Sequence, residues 1–160
     1  MTARPAALAA LSLCLVAIVV AGTPAVFDTT TLVVSDADGT ELATFQLEEG
    51  DEVAIEYTHS VERTLVTDVY RVSDGALVDD RMLFSSFGAG LPSTAEVEVA
   101  GDRYVYYLPE RRYEHLSVST GPVADHDLVV DGERHDLAAL ADNGTVRLRI
   151  DTTPRLIHAI

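Results

Sequence analysis

The sequence predicts an all-β domain, an antiparallel β-sandwich or barrel of about ten short strands, preceded by one N-terminal hydrophobic helix. Three observations carry that expectation. From Asp28 on, apolar and polar residues alternate with a period of two, the spacing that sends side chains to opposite faces of a strand. Turn signals recur roughly every ten residues, the rhythm of sandwiches and barrels. Between Arg4 and Asp28 there is no charged residue.

The N-terminal stretch AALAALSLCLVAIVVAG is apolar apart from Ser12. Residues 6–25 approach the ~20 apolar residues that span a bilayer. Arg4, the one charge before them, favours an inside N-terminus and an outside domain. Two readings are open: an uncleaved single-pass anchor in the cell membrane, or a signal peptide cut near Gly22 or Ala25, which releases a secreted domain. The chain thus divides into a signal or anchor over 1–27 and an extracytoplasmic β domain over 28–160, with 22–28 as a short linker. Cys14 is the single cysteine, which excludes an intrachain disulfide.

The strands follow in order. TTLVVS is the first, and DADG marks a hairpin into ELATFQL. VAIEYTHSV and TLVTDVYRV come next, and SDG leads into ALVDDRMLFSSF. After GAGLPST, AEVEVA and DRYVYYL flank Gly101 and Asp102. HLSVST, DLVV, a DGE turn and TVRLRI complete the set, and only HDLAALAD reads as a brief helix. DADGTE begins like a calcium-binding loop but lacks that loop's later ligands, so it reads as a turn. His115, His126, His135 and His158 show no zinc-site spacing. No metal or cofactor is expected.

The 160-residue chain carries 26 acids against 11 bases, a formal net charge of −15, and every base is Arg. Such self-repulsion weakens a compact state in ordinary salt. At molar salt the Debye length falls to ~3 Å and the repulsion is screened. The composition therefore predicts a protein of a halophilic archaeon, and it argues against nucleic acid as a partner.

Two stretches concentrate polar chemistry. The first is YTHSVERT, Tyr57–Thr64. Continued as a strand, it puts Val53, Ile55, Tyr57, His59 and Val61 on one apolar, core-directed face and Ser60 on the other. Adjacent side chains diverge, so a Ser60–His59 nucleophile–base dyad is not expected. Glu62 and Arg63 fall at the turn into the next strand, where Asp68 and Tyr70 share a face. If the two strands pair, His59 and Asp68 come within reach, and a carboxylate–imidazole pair would fix the His tautomer. The second stretch is SSFGAGLP, Ser85–Pro92. Gly88 and Gly90 permit positive φ and Pro92 closes the run, which suits either a backbone nest for an anion or a tight turn between sheets. Arg111–Tyr113, RRY, is the sole basic cluster and fits either a carboxylate ligand or salt bridges to nearby acids.

YTHSVERT, VYRV and SFGAGLP together resemble the domain of unknown function 1850 family, over roughly Val53 to Arg149. The family position before VYRV usually carries an acid, often Glu; Asp68 fills it here. The resemblance implies a small exported or membrane-anchored protein associated with TRAP transporters of the TAXI subclass. Its partners would be the transporter's membrane subunits or its solute-binding protein, and no reaction is implied. Three readings follow. One is an extracytoplasmic accessory or binding domain, with His59, Ser60, Glu62, Arg63, Asp68, Gly88, Gly90 and Pro92 forming the functional surface. Another is a small hydrolase or isomerase using His59 as general base, oriented by Glu62 or Asp68. In the third, the two motifs are purely structural and function lies in the loops.

Overall fold

A computed structural model describes residues 26–87, 96–121 and 123–156. Thr29–Thr153 forms one compact unit. The apolar stretch 6–25, and with it the expected N-terminal helix, lies outside the described residues. Among the described residues no helix is long and apolar enough to cross a membrane.

The fold is all-β, as the alternation predicts, and consists of two antiparallel sheets. The first has the order β2-β1-β12-β9. It is built from β1 (Val26–Ser35), β2 (Glu41–Leu47), β9 (Leu116–Ser119) and β12 (Thr145–Leu156). β1 begins at Val26, inside the stretch expected as linker. The second sheet has the order β11-β10-β3-β4-β5-β7-β6, with β8 also paired to β5. Its members are β3 (Glu52–Thr58), β4 (Leu65–Ser73), β5 (Ala76–Phe84), β6 (Glu98–Ala100), β7 (Arg103–Tyr107), β8 (Arg112–Tyr113), β10 (Asp127–Val130) and β11 (Glu133–Asp136). The short strands β8 and β11 bring the total beyond the ten expected.

The turns form where the sequence places Asp-Gly pairs, because two successive positive-φ residues match the strand twist. Asp74 and Gly75 have φ of 48° and 73°, and Asp131 and Gly132 have 52° and 78°. In DADG the Asp36 carboxylate accepts the N–H groups of Asp38 and Thr40 at 2.9 and 2.8 Å. The expected helix is a single turn, α1 (Leu137–Leu140), capped by Asp136, which accepts the Ala139 N–H at 2.8 Å.

The core lies between the sheets. Leu32, Val34, Leu47, Val146, Leu148 and Ile150 of one sheet meet Val53, Ile55, Tyr70, Val72, Leu77, Leu128 and Val130 of the other. A smaller cluster of Val66 and Phe84, flanked by Tyr57, Met82, Tyr104 and Tyr106, extends the apolar face.

β4 runs without a bulge, so Val66, Asp68, Tyr70 and Val72 share the core-directed face, while Thr67 and Val69 are buried on the other. β5 is bulged. Asp68 pairs with Met82 and Val69 with Arg81, but Tyr70 pairs with Asp79, so a bulge at Asp80 breaks the register. The bulge inverts the phase of the strand. Met82 and Phe84 lie beyond it and Leu77 and Asp79 before it, yet all four are on one face. Asp80 and Arg81 go to the other. There Arg81 grips Glu52 through both guanidinium nitrogens at 2.7 and 2.8 Å and reaches Asp80 at 2.6 Å.

Candidate functional site

The YTHSVERT stretch leaves the sheet earlier than alternation suggests. β3 ends at Thr58, and 59–64 form a loop instead of a continued strand. The His59 N–H bonds the Thr64 carbonyl at 2.9 Å, and the Arg63 N–H bonds the His59 carbonyl at 2.8 Å. Arg63 takes φ of 52°. The His59 Nδ1 accepts the Glu62 N–H at 3.2 Å, so the imidazole caps its own turn. Val61, expected on the core face, is 67% exposed. Ser60 and Arg63 are exposed as well.

His59 and Asp68 do not meet. The register sets Ile55 opposite Asp68, four residues before His59, which is about 13 Å at ~3.3 Å per strand residue. The expected carboxylate–imidazole pair is therefore absent. The loop instead joins the start of the second motif. Ser86 Oγ donates to Glu62 Oε2 at 3.3 Å and lies 3.5 Å from Thr64 Oγ1. Gly88, Gly90 and Pro92 lie outside the described residues.

Asp68 belongs to a different constellation. It lines an open cleft of about 420 Å³ with Tyr70, Asp79, Met82, Leu108, Pro109, Glu110, Arg111 and Tyr113. The unbulged β4 aims Asp68 and Tyr70 at this cleft, and the β5 bulge adds Asp79 beside them. The far wall is the segment from β7 to β8. It is fixed by backbone bonds from the Asp79 N–H to the Arg111 carbonyl and from the Leu108 N–H to the Asp80 carbonyl, both 2.9 Å. Tyr113 donates its hydroxyl to Asp79 Oδ2 at 3.1 Å and meets Tyr70 edge-on at 5.9 Å between ring centres.

The electrostatics separate the two aspartates. Burial pushes the Asp68 carboxyl up to about 6. The Tyr57 hydroxyl that faces it pulls the other way, and the negative Asp79 adds to the rise. Asp68 Oδ1 is sealed from solvent and has no hydrogen-bond partner. Among the described residues Asp68 makes no ion pair. Asp79 is also raised by burial, but the Tyr113 hydroxyl and the Arg111 guanidinium oppose the rise. Burial, then the nearby Asp68 charge, pushes the Tyr57 phenol up to about 12. Tyr57 in turn stacks on His126 at 5.4 Å. Desolvation lowers the His126 pKa, and its Nδ1 is buried without a partner.

Of the residues singled out in the sequence, Asp68, Tyr70, Arg111 and Tyr113 reach the cleft. Asp79 in the cleft and Tyr57 facing Asp68 escaped that reading. RRY contributed two residues: Arg111 and Tyr113 line the cleft, whereas Arg112 bonds the carbonyls of Ser73 and Asp74 at 3.1 and 3.2 Å. Among the described residues no group of three or more His, Cys, Asp or Glu side chains is arranged to hold a metal.

A family model described as a domain of unknown function, DUF1850, matches residues 53–137, just over half of the chain. That span contains the His59 loop, Ser86 and every residue lining the cleft. No curated protein and no solved structure matches.

Proposed function

The chain belongs to the DUF1850 family, and from that premise we propose that it is an extracytoplasmic accessory domain that holds a small solute in the Asp68–Asp79 cleft. In this reading residues 6–25 anchor it in the membrane of a halophilic archaeon, and it serves a TAXI-type TRAP transporter. The observation that carries the binding role is the cleft: concave, of ligand size, with an apolar wall and a few convergent polar groups. One of those groups is a carboxylate whose proton affinity is strongly perturbed, a feature that concentrates at functional sites. The uncharged apolar stretch supports the anchor, the Lys-free acidity supports the saline setting, and the family resemblance supports the transporter.

Catalysis with His59 as general base finds no support in the geometry. A neutral imidazole that accepts at Nδ1 carries its proton on Nε2, so no free basic nitrogen remains. The bonds of the His59 loop to itself and to Ser86 favour a structural role for these two motifs, with binding left to the cleft.

Two measurements test the proposal. Full-length chain, co-expressed with the membrane subunits of its TRAP transporter in molar salt, is expected to co-purify with them; recovery no greater than that of an unrelated anchored domain refutes the accessory role. A thermal-shift screen against small polar solutes is expected to show saturable stabilisation that a cleft-filling Asp79→Trp substitution removes. A flat response to every solute refutes the binding role.

A further inference from the structure

We infer that the ligand of this cleft is a small organic cation, an amine or quaternary ammonium solute, with its positive charge set against Asp68 and beside Tyr70 and Tyr113. The inference rests on the proposal that the cleft is a binding site, and it specifies the chemistry of the occupant.

The charge count points that way. Asp68, Asp79 and Glu110 line the cleft against one base, Arg111. Arg111 sits on the Asp79 side, where its charge and the Tyr113 hydroxyl oppose the rise of that carboxyl. Asp68 has the Tyr57 hydroxyl facing it but no guanidinium. The arginines of β4 and β5 face the other way, Arg71 through the alternation of its strand and Arg81 through the β5 bulge. Arg81 is held there by Glu52 and Asp80, and Arg71 lies 3.9 Å from Asp80. Arg112 is occupied with the Asp74 turn. A mostly buried carboxylate without a counter-charge is costly, and a bound cation removes that cost.

The walls select an organic cation over a metal ion. Met82, Leu108 and Pro109 offer apolar surface, which a bare ion does not use. The volume of about 420 Å³ suits a small molecule, and hard metal ions need several converging oxygens. Among the described residues no such set occurs. Tyrosine rings attract cations that come within ~6 Å of their faces, and ammonium solutes exploit both this and an adjacent carboxylate.

Isothermal titration calorimetry on the full chain in molar potassium chloride tests the inference with four probes: tetramethylammonium, n-butylamine, n-butanol and butyrate. Saturable binding is expected for the two cations, at least about tenfold tighter than for n-butanol of similar size. Asp68→Asn is expected to weaken both cations by about tenfold or more, while Asp79→Asn, whose carboxylate already has Arg111, has a smaller effect. Circular dichroism confirms that each variant is folded. If butanol or butyrate binds as well as the cations, or Asp68→Asn binds them unchanged, the inference is wrong and the cleft remains a binding site of another specificity. If none of the four binds, the inference fails, and the solute screen decides separately whether the cleft binds anything.

Discussion

Replacing Asp68 by Asn should stabilise the domain at neutral pH, although it alters a mostly buried hydrogen-bonding residue. The Asp68 carboxyl titrates near 6 in the folded chain, against a reference value of 3.8. Between those values the native state binds more protons than the unfolded chain, so stability falls as pH rises through the window. Above it the full penalty applies: 2.2 pH units at 1.36 kcal/mol each gives about 3 kcal/mol, an upper bound because solvent reaches part of the side chain. Well below the unfolded value of 3.8 the carboxyl is neutral in both states and the penalty vanishes. Asn keeps the shape and can still accept from Tyr57 without a charge. Urea unfolding of wild type and Asp68→Asn at molar salt, from pH 4 to pH 8, measures the difference. We expect the variant to gain up to about 3 kcal/mol at pH 8, with the gain shrinking to about 0.5 kcal/mol at pH 4. The other acids titrate in both proteins and cancel. A variant less stable at pH 8, or a difference independent of pH, would refute the reasoning.

Other perturbations probe the frame around the cleft. His59→Ala removes the acceptor of the Glu62 N–H and should cost about 1 kcal/mol in chemical denaturation while leaving solute binding intact; lost binding with unchanged stability would return His59 to the site. Phe84→Ala empties a fully buried position packed against Phe87 and Tyr104 and should cost about 3–5 kcal/mol. Gly144→Ala places a Cβ 2.9 Å from the Ala141 carbonyl oxygen, so a loss of about 1–3 kcal/mol in thermal unfolding is expected.

What was legible in the sequence follows from how local each cause is. The Asp-Gly hairpins read correctly because positive φ at two adjacent residues is a property of those residues. The alternation of β4 read correctly because Val66, Tyr70 and Val72 are apolar at period two, and it placed Asp68 and Tyr70 on one face. ALVDDRMLF misled for the opposite reason. Strict alternation groups Asp79 with Arg81, but the bulge between the Val69–Arg81 and Tyr70–Asp79 pairs is set by two strands together and leaves no single-residue mark. The acid pair was invisible for that reason. VAIEYTHSV failed at its end: the apolar period seemed to include His59 and Val61, while the polar run from Thr58 to Thr64 signalled that the strand had stopped. His59 and Glu62 do meet, but through the Glu62 backbone N–H within a turn. Arg111 was flagged by its charge and Tyr113 only as the end of RRY, because an aromatic residue in a strand is ordinary.

The proposed site requires Asp68 to be a carboxylate without a counter-charge at the cleft. A carbon-13 NMR titration of its side-chain carboxyl in the ligand-free domain measures that directly. The expected midpoint is about 6; a midpoint near the ordinary ~3.9 of an aspartate would contradict it.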